Sequence, residues 1–225
     1  MPSATPQPDK SNAKTVIILI GVLVVCGTAV ISYLLTQRPS SDVAAETPGS
    51  ASESRLEIEG EKLAELENGL QGEVSTADDD PTVGTVAPTL TGFDFADTEQ
   101  TSAPNGKAKA IFFVAHWCPH CQKEVPVVQK LIDEGFQPEN LEILLVSTGE
   151  DSGRGNYPPS DWLAEENYTG PVIQDDANSS AFSAFGGTRF PYVVYLDGEN
   201  KVTGRSGPME EEVMKQAWEN AAEAA

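Results

Sequence analysis

Residues 110–126 read AIFFVAHWCPHCQKEVP, and their interpretation decides what the rest of the chain is for. An apolar run ends at His116 and Trp117, the tetrapeptide Cys118-Pro119-His120-Cys121 follows, and an amphipathic segment begins. This order predicts a buried strand feeding directly into a helix, with Cys118 at the helix N-terminus. The free backbone N–H groups and the helix dipole there favour a thiolate over a thiol. Pro119 suits the first helical position, where a missing N–H costs nothing. His120, between the two sulfurs, adds positive charge or a hydrogen bond. Such surroundings lower a thiol pKa from about 8.5 into a range of about 3.5 to 7.5. A dithiol whose reduced form is stabilised in this way makes an oxidising disulfide.

The whole chain narrows the chemistry. Its 225 residues carry a formal charge of −21, from 14 Lys and Arg against 35 Asp and Glu. So acidic a surface repels phosphate backbones and argues against a nucleic-acid partner. Two of the three cysteines form the Cys-x-x-Cys, and Cys26 lies within a long apolar run, so no structural disulfide framework exists. The pair is therefore catalytic, metal-binding or inert. For a metal, His116, Cys118, His120 and Cys121 offer four ligands within six residues. Zinc sites draw instead on two separated pairs.

Outward from the tetrapeptide, Ala108–Ala115 is predicted as a central strand covered on both faces, and a helix from about Pro119 to Glu134 should end at Gly135. Leu141–Ser147 is a second buried strand, related to the first as a parallel βαβ unit. The Gly- and Pro-rich stretch 149–159 reads as a lid or insert beside the site. Further on come a helix from Ser160, a short strand at 171–173, a helix over 178–185, the segment Gly187-Thr188-Arg189-Phe190-Pro191 before the strand YVVYL, a turn at Asp197-Gly198, and a closing helix over 208–222.

Toward the N-terminus, residues 1–14 read as a polar cytoplasmic tail. The 21 uncharged residues 15–35 are long enough to span a bilayer core of about 30 Å. Lys10 and Lys14 before this run, against Arg38 after it, orient the N-terminus toward the cytoplasm. Residues 36–82 then read as an acidic flexible linker, with 12 acidic residues and only Arg55 and Lys62 as counter-charges between positions 39 and 80. Within it, 54–69 is predicted as a transient amphipathic helix and Asp78-Asp79-Asp80 as a solvated charge run. The globular domain should occupy residues 83–225.

From about Gly84 to Ala222 the chain resembles the thioredoxin-like superfamily. The resemblance is carried by the apolar strand, Trp117-Cys118-x-x-Cys121, and Pro126 five residues further on. Cys-Pro-His-Cys is similar to DsbA-type oxidases, and the extended pattern Trp117-Cys118-x-x-Cys121-x-x-Glu124-x-Pro126 resembles membrane-anchored TlpA/ResA-like proteins. The resemblance implies an α/β fold with a central mixed β-sheet flanked by helices. It also implies a cis Pro191 lying against the cysteines, Glu124 as an acid serving Cys121, and Trp117 beside the nucleophile. Phe190 departs from the Thr or Val that relatives carry before that proline, and Phe112 stands where thioredoxins place a buried Asp. The function implied is an extracytoplasmic, single-pass thiol-disulfide oxidoreductase in the cell membrane. Cys118 and Cys121 would be its only redox group, cysteine-containing proteins its clients, and a membrane redox protein its recycling partner. Oxidation and reduction of clients are not separated by this pattern. Two alternatives use the same residues: a tethered non-enzymatic client-binding module with an apolar surface around Trp117, Phe190 and Pro191, and a copper- or zinc-handling module.

Overall fold

The computed structural model describes residues 55–66, 70 and 72–225. A five-stranded sheet forms its centre. Strand β4 (Ala108–Val114) lies in the middle, β5 (Leu141–Ser147) and β6 (Val172–Gln174) extend it in parallel on one side, and β7 (Tyr192–Leu196) and β8 (Val202–Ser206) continue it antiparallel on the other. The parallel half follows from the crossover through helix α1 (Cys121–Asp133), and the antiparallel half from the tight turn between β7 and β8.

Every residue of β4 is buried. Its side chains alternate between two cores, as the period of a strand requires. Ala110, Phe112 and Val114 meet Val125, Val128 and Leu131 of α1, and Trp218 of the closing helix α4 (Glu211–Glu223). Ile111 and Phe113 face the other way, toward Phe185, Tyr192, Leu63 and Leu90. Two short helices complete the frame, α2 (Pro159–Glu165) and α3 (Ser180–Ala184). Helix α1 stops where predicted. Gly135 has φ +71°, its N–H bonds to Ile132 O, and the Phe136 N–H reaches back to Leu131 O, closing the last turn. At its other end α1 starts at Cys121, two residues later than the sequence suggests, although the Cys118 carbonyl already accepts the Gln122 N–H at 3.1 Å.

The reading of residues 36–82 as a flexible linker does not hold for its described portion. Instead of a transient helix, Glu57–Glu59 forms β1, paired antiparallel with β2 (Thr89–Phe93), which pairs in turn with β3 (Glu99–Thr101). Leu63 is buried, and its N–H bonds to Ala184 O. Residues 72–87 then run as a strap along the outer edge of β8. Ser75 N–H reaches Arg205 O at 2.8 Å, and Gly84 and Thr85 exchange hydrogen bonds with Val202. The strap thus covers an edge strand that would otherwise stand unpaired. Gly204 is required by this approach, since a Cβ there would lie 2.5 Å from Val74 Cγ1. Nor is the Asp78–Asp80 run wholly solvated. Asp80 is fully buried in a bidentate ion pair, 2.7 Å from Arg205 Nε and 2.6 Å from Arg205 Nη2.

A fragment beginning at residue 84 is therefore expected to be much less stable than one beginning at residue 55. Urea denaturation of the two fragments checks this, and equal midpoints would show that the strap contributes nothing. The tail 1–14 and the apolar run 15–35 lie outside the described residues. Among the described residues no helix is long and apolar enough to cross a membrane.

Candidate active site

The β4–α1 junction delivers both sulfurs into one buried corner. Cys118 is 6% exposed and Cys121 is wholly buried, and both are free thiols. The Cys118 N–H closes a turn on Ala115 O at 2.9 Å, and the Ala115 N–H points at Cys121 Sγ from 3.5 Å. The two thiols are driven apart electrostatically. Cys118 falls to about 5, chiefly because the Cys121 side chain donates a hydrogen bond to it. Its own burial opposes that, and the backbone N–H groups of Cys121 and His120 add to the lowering. Cys121 is pushed far up, by burial first and by the proximity of Cys118 next. One sulfur is thus a thiolate at neutral pH and the other a proton-carrying thiol.

His120, expected to add charge or a hydrogen bond beside Cys118, acts in that direction. Its side chain is exposed, and its charge is the smallest of the causes that lower Cys118. The helix start and the second thiol do most of the lowering.

Glu124, one turn further along α1, is buried like the sulfurs. Its Oε2 accepts the Met209 N–H at 3.3 Å, and its Oε1 has no partner among the described residues. Burial, with a smaller contribution from the Cys118 charge, raises this carboxyl to about 8. A group held in that condition exchanges protons near neutrality.

The Phe190–Pro191 peptide bond is cis, and the Phe190 carbonyl lies 3.6 Å from Cys118 Sγ, where it accepts a hydrogen bond from the protonated thiol. The Phe190 ring stacks on Phe182 at 4.5 Å and meets Trp117 edge-on at 5.8 Å. Trp117, Cys118, Cys121, Glu124 and the Phe190–Pro191 turn are therefore gathered into one site.

Sequence reasoning missed how the 149–157 loop is fastened to it. Trp117 Nε1 donates to Gly149 O at 2.7 Å. Buried His116 lies 2.8 Å from Gly155 O through Nδ1 and accepts the Asp151 N–H at Nε2 over 3.2 Å. Since a carbonyl can only accept, His116 carries its proton on Nδ1. Both ring nitrogens are then in use, so His116 has no lone pair to offer a metal. Among the described residues no group of three or more His, Cys, Asp and Glu is placed to hold one. The loop also sets the Arg154 guanidinium 3.9 Å over the Trp117 ring. The sequence cue was the concentration of turn residues after β5. Its partners lie 32 to 40 positions away, beyond the reach of local pattern.

Comparison with known proteins agrees with this geometry. Residues 82–221 match the Redoxin family. Over 117 residues the chain is 30% identical to nucleoredoxin from Homo sapiens, covering 49% of this chain and 25% of that protein. Over 96 residues it is 26% identical to tryparedoxin from Trypanosoma brucei brucei, covering 42% and 63% respectively. The chain thus spans less than two thirds of the length of either relative. Among solved structures, a thiol:disulfide interchange protein from Chlorobium tepidum TLS superposes with a TM-score of 0.52 at 22% identity, covering 62% of this chain and 97% of that one. A protein described as a putative protein disulfide isomerase from Bacteroides thetaiotaomicron gives 0.53 at 21%, covering 69% and 93%. At such identities these structures show the fold, which is thioredoxin-like.

Proposed function

Given that the chain belongs to the Redoxin family, we propose that it is a thiol-disulfide oxidoreductase acting outside the cytosol on cysteine-containing proteins, from a membrane anchor at residues 15–35. The observation that carries the chemistry is the split dithiol: Cys118 held as a thiolate at about 5 beside a buried, protonated Cys121. The extracytoplasmic setting is supported by the apolar run and by the persistence of disulfides in such compartments.

In the reducing direction, Cys118 Sγ attacks one sulfur of a client disulfide. A mixed disulfide forms, and the client's other sulfur leaves as a thiolate and takes up a proton. Loss of the Cys118 charge removes an influence that raises both Cys121 and Glu124. Glu124 then ionises more readily and accepts the Cys121 proton. The Cys121 sulfur attacks Cys118 Sγ, the mixed disulfide breaks, and the second client sulfur departs. Two electrons have passed to the client, one proton has come from Cys121 by way of Glu124 and one from solvent, and Cys118 and Cys121 are joined. Run backwards, the same steps oxidise a client dithiol. A membrane redox protein would reset the couple, and no group beyond the Cys118–Cys121 disulfide is needed.

Equilibration of the purified protein in glutathione buffers tests this reading. One two-electron transition is expected, with a potential between those of thioredoxin, about −270 mV with a thiol pKa near 7, and DsbA, about −120 mV with a pKa near 3.5. Failure to form the Cys118–Cys121 disulfide, or a redox equilibrium that does not follow a two-electron transition, would overturn it.

A further inference from the structure

The positive charges of this protein are distributed unevenly. Nearly every Lys and Arg in the described residues either forms an ion pair with a carboxylate or, like Lys109, is buried. The exceptions are Lys123 and Arg189, both exposed and neither within ion-pair distance of a described carboxylate. Lys123 stands two residues after Cys121 in the first turn of α1, and Arg189 immediately precedes Phe190, whose carbonyl touches Cys118 Sγ. A third cation, Arg154, lies over Trp117. Its link to Asp151 is between two half-exposed side chains and so is worth little. Exposed His120 belongs to the same rim. Among the described residues of this acidic chain, the unneutralised cations occur on the segments that meet at the nucleophile.

We propose that this rim selects the client: the preferred partner presents its cysteine or disulfide within an acidic stretch, whose carboxylates engage Lys123 and Arg189 while the sulfur reaches Cys118. This rests on the oxidoreductase reading and adds to it a class of substrate. The acidic body of the protein does not forbid such a partner. At physiological ionic strength charges are screened over about 8 Å, so carboxylates docked at the rim feel chiefly the adjacent charges, which are Lys123 and Arg189 together with exposed Glu150 and the Arg154–Asp151 pair of the 149–157 loop. The same body excludes nucleic acid, and a bare anionic membrane surface offers no sulfur for Cys118.

The test compares three disulfide peptides that differ only in the residues flanking the cysteines, which are glutamate, glutamine or lysine. The full chain in its dithiol form reduces each to two thiols and is itself oxidised to the Cys118–Cys121 disulfide. The glutamate peptide is expected to react about fivefold or more faster than the lysine peptide at physiological salt. The paired substitution Lys123→Glu with Arg189→Glu should invert that ratio. The neutral pair Lys123→Gln with Arg189→Gln should bring it toward one, and exchange of the two cations, Lys123→Arg with Arg189→Lys, should preserve it. Equal reaction of all three peptides with the unmodified chain, or an unchanged ratio in the charge-reversed variant, would overturn the proposal and leave the oxidoreductase reading standing. A chain that reduces none of the three would overturn both.

Discussion

Cys121→Ala is expected to accumulate mixed disulfides with client proteins, whereas Cys118→Ala accumulates none and exchanges no disulfides. The asymmetry comes from the geometry of one turn. Cys118 retains a window to solvent and lies where backbone N–H groups stabilise its negative charge; Cys121 is sealed in the core with its proton. With iodoacetamide at neutral pH, the variant retaining Cys118 should therefore react at least about a hundredfold faster than the one retaining Cys121. The pH dependence carries a further sign. In the intact dithiol, reactivity should rise as pH passes about 5 and then level off. Removing the Cys121 thiol deletes the largest cause of that low value, so the rise in Cys121→Ala moves to higher pH. His120→Ala should move it in the same direction by less, since its charge is the smallest named cause. Equal alkylation of the two single-cysteine variants would reverse the assignment of nucleophile.

The second large effect concerns stability rather than chemistry. Asp80→Ala is expected to cost about 3–5 kcal/mol, because it strands the Arg205 guanidinium in a fully buried position. Arg205 spends its donors on Asp80, on Ala64 O at 2.8 Å and on the Tyr192 hydroxyl at 2.9 Å, so no water-facing arrangement is open to it. Arg205→Met combined with Asp80→Ala should be milder than either single change, since no buried charge is then left alone. Burial alone would raise the Asp80 carboxyl, but hydrogen bonds from Arg205 and Thr82 overcome it and hold the group at about 2, against 3.8 for a free side chain. A folded-state value lowered in this way stabilises the fold above about pH 4. That contribution, about 2 kcal/mol, is lost as pH falls toward 2. Urea titrations of the variants at neutral pH, and of the parent chain across the acid range, measure both effects. A cost below about 1 kcal/mol for Asp80→Ala would mean the pair is not the anchor described.

What was legible in the sequence, and what was not, divides by the range of the interactions. The strand–Cys-x-x-Cys–helix unit, the parallel partner strand and the hairpin after Pro191 are written in local periodicity and turn residues, and the structure has them in place. Glu124 was visible only through its spacing from Cys121; that it is buried and proton-holding depends on Met209 and the closing helix, 85 positions away. The strap escaped notice for a different reason. Acidic, Gly- and Ser-rich composition ordinarily describes a chain that cannot bury a core, and residues 55–82 satisfy that description. Those of them described are held by backbone pairing with a sheet edge, by one buried arginine and by scattered apolar side chains such as Leu63. None of these sets a hydrophobic period. Arg205, in the short strand Val-Thr-Gly-Arg-Ser, carries no local sign of burial, because its partner Asp80 lies 125 positions earlier.

That separation has a consequence for biosynthesis. The strap leaves the ribosome before the strand it must cover exists, and Asp80 waits for 125 further residues before Arg205 appears. At roughly 5–20 residues per second, this is an interval of about 6–25 s. A hydrophobic segment exposed for so long would invite aggregation or capture. One made soluble by Asp78, Asp79, Asp80 and the neighbouring Ser and Thr residues can remain in water at no risk, then dock once the last strand is complete. The acidity that disguises the strap as a linker is what suits a segment synthesised early and needed last.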